Sequence, residues 1–197
     1  MEELPRQEFD SPYQGTDGSS EPSYWTSVTM AGVLFGIVAF ILSLVSSYAI
    51  INSEPTGTIF SPTQLLGTLA CLLGAFGGMV ATWHYIREFD LSIKLGRGAL
   101  IGFLTGVCIA IVSVVLNQVW QFVDPDMTQK VIESTIANME AMDMPEAQKQ
   151  QMIDATAESV RDQTSIGSQL LWGVPLYGIL NLFTGMIGAK IFSKQQA

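Results

Sequence analysis

Four stretches of the 197-residue chain contain no Asp, Glu, Lys or Arg, and they limit what it can become. They lie between Glu21 and Glu54, Glu54 and Arg87, Arg97 and Asp124, and Asp162 and Lys190, with lengths of 32, 32, 26 and 27 residues. A helix rising about 1.5 Å per residue crosses the hydrocarbon core of a bilayer in about 20 residues. Each run is long enough. A helix facing water over that length would carry a charged stripe, and none of these does. Strands of a membrane barrel would alternate apolar and polar residues over about ten positions, and no such alternation is found. The fold class predicted is therefore all-α: a polytopic membrane protein with four transmembrane helices over 28–51, 63–86, 99–122 and 169–189.

The charges outside those runs are unevenly placed. The segment up to Glu21 holds six acids and one base, and the segment from Asp124 to Asp162 holds nine acids and three bases. Short loops rich in Lys and Arg stay cytoplasmic, and Arg87, Lys94 and Arg97 fill the connection between the second and third spans. With that loop inside, six basic residues (Arg6, Arg87, Lys94, Arg97, Lys190, Lys194) fall inside against three outside. This predicts a multi-pass membrane protein with both termini cytoplasmic and the 124–165 insert outside. Trp and Tyr favour the headgroup layer. Trp25, Tyr48, Trp83, Tyr85, Trp120 and Trp172 all stand at predicted span edges. Residues 1–24 are acidic, rich in Ser, Pro and Gly, and without hydrophobic period, so they read as a disordered cytoplasmic tail ahead of a 25–197 membrane domain. They lack the basic start and short apolar core of a cleavable signal peptide. A net charge of −9 argues against a nucleic-acid partner.

Within lipid, helices gain little by hiding apolar surface from each other and associate mainly where small residues let backbones approach. The third span offers Gly98, Gly102, Gly106 and Ala110, continued by Ser113 and Asn117. Such a seam needs a partner, and the second span presents Gly67, Cys71, Gly74, Gly78 and Ala81, the first Gly32, Gly36, Ala39 and Ser43. A compact four-helix bundle follows. The other readings of the seam are a Gly-lined groove admitting lipid or solute, and a contact between copies of the chain. In the fourth span Pro175 removes one backbone hydrogen bond and predicts a kink, and Asn181 supplies either an interhelical hydrogen bond or a polar ligand at a broken helix. The spans hold no ionisable Asp, Glu, Lys or Arg of the kind coupled transport leaves in the membrane. His84 stands alone, Cys71 and Cys108 read as small packing residues, and no catalytic motif is found. The expectation is no enzyme, no cofactor and no metal.

After Trp120 the chain must return to polar surroundings. Asp124-Pro125-Asp126 ends the span, because Pro125 disfavours helical torsions at Asp124, and Asp124 is then placed to cap a new helix with Pro125 at its first position. In that helix Met127, Val131, Ile132, Ile136, Met139 and Met142 recur on one face, with Lys130, Glu133, Asn138 and Glu140 on the other. An amphipathic helix of this kind lies on the bilayer or on the bundle. Asp143-Met144-Pro145-Glu146 has the form of a capping box for a second helix reaching about Arg161. Five of the nine Met residues fall between Met127 and Met152. They read as filling for irregular apolar surface, with a Cu(I) site as the rival reading.

The basic loop Ile93-Lys94-Leu95-Gly96-Arg97-Gly98, the Gly-rich span after it, the stretch "VWQFVDPDMTQKVIE", the Met- and acid-rich helix pair, and Val174-Pro175 ahead of a basic end together resemble a bacterial membrane family catalogued as domain of unknown function 4199. The resemblance runs from about Thr26 onward; the long acidic tail and "GVPLYG" depart from it. It implies four helices in the inner membrane and supplies no activity, substrate or catalytic residue. The function expected is a non-enzymatic component that interacts, supports or senses at the membrane, with a protein partner, a second copy or the lipid bilayer itself as partner. The alternative is a small transporter or channel subunit.

Overall fold

The computed structural model describes residues 22–58, 62–90, 92–162 and 165–193. The predicted disordered tail falls, up to residue 21, outside the described residues. Among the described residues the regular elements are all helices: α1 (Trp25–Ile51), α2 (Pro62–Ala75), α3 (Gly77–Phe89), α4 (Leu95–Val123), α5 (Met127–Glu140), α6 (Glu146–Asp162) and α7 (Ile166–Phe192). Four helical segments are long and apolar enough to cross a membrane: α1, the α2–α3 pair from Leu65 to Phe89, α4 and α7. They extend the sequence-predicted spans by a few residues at most ends, as fraying helix boundaries usually do.

The second span is not a single rod. It breaks at Phe76, whose N–H reaches back only three residues to the Leu73 carbonyl (3.1 Å), and the ladder resumes with Val80 N–H on the Phe76 carbonyl at 3.1 Å. Gly74, Gly77 and Gly78 surround the break, and glycine is the weakest helix former after proline. In hydrocarbon the freed backbone groups must find partners inside the protein. Two side chains of α7 supply them. Asn181 Oδ1 accepts from Gly78 N–H at 2.6 Å, and Thr184 Oγ1 donates to the Ala75 carbonyl at 2.6 Å.

α4 packs against α1, α3 and α7, most extensively against α7. The glycine seam of the third span therefore meets the fourth span, and the first and second spans, which the sequence offered as its partners, meet other surfaces. A Cβ added at Gly98 would lie 2.5 Å from the Ala189 methyl and 2.6 Å from the Gly185 carbonyl. One at Gly102 would overlap the Asn181 carbonyl, and one at Gly106 the Tyr177 carbonyl. Further along, Gly173 faces Ala110 at an ordinary 3.7 Å. As positions rise along α4 they fall along α7 by equal steps, which is the register of two antiparallel helices in backbone contact. On its other side α4 meets α1, where Gly32 receives Cys108 and Gly36 receives Val112.

The interior this produces combines small and polar residues with a few larger ones (Val28, Tyr85, Ile101, Ile109), and the exterior is greasy. Ser27, Thr82, Thr105, Asn181 and Ala81 are fully buried, while Leu34, Ile41, Val45, Val115, Ile179 and Phe183 are exposed. A protein folded in water buries its large aliphatic side chains. The reverse arrangement suits lipid, where close approach of small residues holds helices together.

At the end of the bundle near the α3–α4 connection, the Arg97 guanidinium lies over the rings of Tyr24 and Tyr85, 5.8 and 5.7 Å from their centroids. Buried Tyr85 donates to the Pro22 carbonyl at 2.9 Å, which fixes the segment leading into α1. Ser193 accepts from Ile93 N–H at 3.1 Å and ties the end of α7 to the same connection.

Candidate functional site: a cleft roofed by the α5–α6 hairpin

At the opposite end of the bundle α5 and α6 fold back on one another, and α5 rests on α1. Ile132 is the fully seated residue of the α5 apolar face, 4% exposed, with Ile136 and Met139 half-buried and Met142 buried in the turn after the helix. Asn138, assigned to the polar face from its spacing, does different work. Its Oδ1 accepts from the backbone N–H of Thr56 (2.9 Å) and Gly57 (3.1 Å), and its Nδ2 donates to the Thr58 carbonyl at 3.1 Å. One amide side chain thus holds the loop that follows α1. Gly57 is required there twice over: its φ is +65°, and a Cβ would stand 2.5 Å from the Ala141 carbonyl oxygen.

Asp124 also has a role other than the one its sequence position implied. α5 begins at Met127, with Asp126 before it and no side-chain cap, so Asp124 does not cap that helix. Its carboxylate is occupied elsewhere: Tyr48 donates to Oδ2 at 2.8 Å and Lys130 Nζ to Oδ1 at 3.1 Å. Asp124 thereby joins the end of α1, the end of α4 and the first turn of α5, with Pro125 and Asp126 forming the turn between α4 and α5. The Tyr48 hydroxyl first, and Lys130 after it, hold the Asp124 carboxyl below the usual carboxylate range. The same contact with Asp124 raises the Lys130 ammonium. The capping box expected at Asp143 is replaced in a similar way. The Pro145 carbonyl accepts from Gln148 and Lys149 N–H at the start of α6, and the Glu146 carboxylate takes Lys149 Nζ at 3.2 Å.

Beneath this roof lies a cleft of about 960 Å³ between α1, α4 and α7. The antiparallel contact of α4 and α7 bounds it. Where glycines face each other the backbones touch; beyond Ala110 and Gly173 the seam residues become Ser113 and Asn117, and a gap opens. Ser113 donates to the Gly36 carbonyl at 3.4 Å, and Ser43 and Ser47 of α1 line the facing wall. Phe40 and Trp120 meet edge to face with ring centroids 6.1 Å apart, and Trp172 and Tyr177 of α7 complete the aromatic part of the lining. From the roof, Asp124, Thr128, Val131 and Glu158 reach the cavity. Among the described residues its lining contains two carboxylates and no Lys, Arg or His.

The other sequence-predicted positions lie apart from this cleft. Gly74 lies against the Tyr177 ring and Gly78 against Asn181. Pro175 sits exposed within an uninterrupted α7, and Asn181 is fully buried a turn and a half further on, so the two do not form one site. Asn181 uses its amide on Gly78 and on the Tyr177 carbonyl, to which Nδ2 donates at 2.9 Å. Among the described residues no group of three or more His, Cys, Asp or Glu side chains converges as metal ligands. The sequence signal of the cleft is the run Ser113, Asn117 and Gln121, which continues the glycine seam with residues too polar to face lipid.

Four long apolar helices with small and polar residues turned inward define a multi-pass α-helical membrane protein. Within that class the chain belongs to the family described as a protein of unknown function, DUF4199, whose model matches residues 31–192. No curated protein and no solved structure matches it.

Proposed function

We propose that this protein is a non-enzymatic sensing component of the bacterial inner membrane, with both termini cytoplasmic and the α5–α6 hairpin on the outer face. In this reading a ligand enters the roofed cleft from the hairpin side, and the hairpin passes its occupancy to a partner. The observation that carries the reading is the form of the cleft. Below Ala110 and Gly173 it is closed on the α4–α7 side, where the two backbones meet through Gly106, Gly102 and Gly98. A cleft closed along the α4–α7 seam under a polar-latched roof supports binding better than conduction. The transporter alternative has less to rest on, since Asn181 is committed to Gly78 and Tyr177.

The orientation is supported by the basic residues Arg87, Lys94 and Arg97 gathered at the end opposite the hairpin. The test is a distance measurement. Spin labels on Gln151 of α6 and Ser53 of the loop after α1 are compared in neutral detergent and in nanodiscs of lipid extracted from the source membrane. The hairpin distance should shift in the nanodiscs for the wild-type background and stay fixed when Ser113→Leu and Asn117→Leu fill the cleft. An identical distribution in both media, or a shift that survives the filled cleft, refutes sensing through this cavity. Solute flux in proteoliposomes that is lost in Asn181→Leu would favour the transporter instead.

A further inference from the structure

The chemistry of the lining narrows what the cleft can hold. We propose that it binds an amine: a primary or quaternary ammonium group carried on an apolar chain, with the cation under the hairpin among Glu158, Asp124 and the rings of Trp120 and Trp172. This rests on the reading of the cleft as a ligand site and adds the identity of the ligand.

Three observations point the same way. The first is charge. Asp124 and Glu158 line the cavity and no described cation does; with Asp124 held by Lys130, the carboxylate offered to a ligand is Glu158. Lys130 is held on Asp124 at 3.1 Å. The second is the aromatic content. Phe40, Trp120 and Trp172 line the space, and aromatic rings attract ammonium groups at their faces, tryptophan most strongly. The third is the surrounding field. The segment from Asp124 to Asp162 has nine acids against three bases, and a single-signed field over a cleft concentrates ligands of the opposite sign. Toward its closed end the lining changes to Ala39, Ala110, Val114 and Gly173, which suits a hydrocarbon chain. Ser43, Ser113 and Asn117 lie between, at a depth where ester, amide or hydroxyl groups of such an amphiphile would be bonded.

The experiment uses the full-length protein in maltoside micelles and three photoreactive probes with the same alkyl chain, bearing a diazirine, and an ammonium, hydroxyl or sulfate head. Labelled peptides are located by mass spectrometry. The ammonium probe should label cleft residues of α1, α4 and α7 saturably. It should do so about fivefold more efficiently than the hydroxyl probe, the range of one partly exposed charge contact. Glu158→Gln, an exposed position on α6 whose change leaves the bundle contacts alone, should remove most of that preference. Equal labelling by ammonium and hydroxyl probes, or stronger labelling by sulfate, overturns the amine assignment while leaving the cleft a binding site. Absence of saturable cleft labelling by all three overturns both. Competition then separates the sources. Phosphatidylethanolamine added to the micelles displacing the probe identifies a lipid headgroup; displacement by tail-less butylamine alone identifies a free amine; displacement by neither contradicts recognition of the ammonium.

Discussion

Asn181→Leu removes the side chain that bridges the break in the second span while nearly preserving its shape, so its effect reports the buried polar contacts of that amide, chiefly the one to Gly78. In the wild type Asn181 Oδ1 takes the Gly78 N–H at 2.6 Å, at a point where α3 has just begun and the preceding helix has ended. An orphaned buried donor costs about 1–3 kcal/mol. Interhelical hydrogen bonds in membrane proteins average nearer 0.6 kcal/mol, because groups that lose a partner often find another. The geometry decides between these figures. Asn181 and Gly78 are both buried, so water cannot replace the lost acceptor. The expected loss is therefore toward the upper figure, about 2 kcal/mol, or roughly thirtyfold in the folding equilibrium. Thr184→Val, which frees the Ala75 carbonyl, should cost less, about 0.5–1 kcal/mol, since carbonyls tolerate partial satisfaction better than N–H groups. Reversible unfolding in mixed micelles, titrated with denaturing detergent, measures both, and the double variant tests whether the two contacts are coupled across the break. A loss below about 0.5 kcal/mol for Asn181→Leu would show that Gly78 is satisfied by another group and that the bridge does not hold the broken span.

The remaining predictions concern the seam, the latch and the loop. Gly106→Val forces a branched side chain onto the Tyr177 carbonyl and Gly178 and should destabilise by about 2–3 kcal/mol in the same titration, whereas Gly96→Ala, with open space around it, should be neutral or stabilising by about 0.5 kcal/mol. Asp124 is depressed below its ordinary 3.8 in the folded protein, so its contribution is complete above that pH and disappears as pH falls through the lower folded value. Protease nicking of the hairpin should accordingly rise at strongly acidic pH in the wild type, and Asp124→Asn should nick fast at all pH values. Asn138→Ala should release the loop after α1, seen as faster hydrogen exchange at Thr56 and Gly57 with the α4–α7 seam unchanged.

How far the sequence led can be argued from individual residues. The four spans were legible because the absence of charge over twenty or more residues has few causes in a folded chain. Gly98, Gly102 and Gly106 were legible as a contact surface, but not its partner. α7 presents Gly178, Gly185 and Gly188 at less regular intervals than α4, interrupted by Asn181 and Thr184, and those polar residues hide its small-residue face. The break at Phe76 was invisible for a related reason: glycines in an apolar run read equally as packing sites and as weak points of a helix. Asp124 was misassigned because capping rules see the next three residues and not Tyr48, 76 positions earlier, which binds its carboxylate. The cleft depends on where two helices stop touching, a property of the pair that neither sequence states alone.

The proposed orientation puts the hairpin end, with the cleft beneath it, outside and the basic end in the cytoplasm. Single cysteines at Gln151 in α6, Ser47 in the cleft wall and Ser92 in the α3–α4 connection, each in a Cys71→Ala, Cys108→Ala background, report this directly through a membrane-impermeant maleimide applied to intact cells. Gln151→Cys should react at once, Ser47→Cys more slowly, and Ser92→Cys only after the cells are permeabilised. Reaction of Ser92→Cys in intact cells with Gln151→Cys protected would contradict the account.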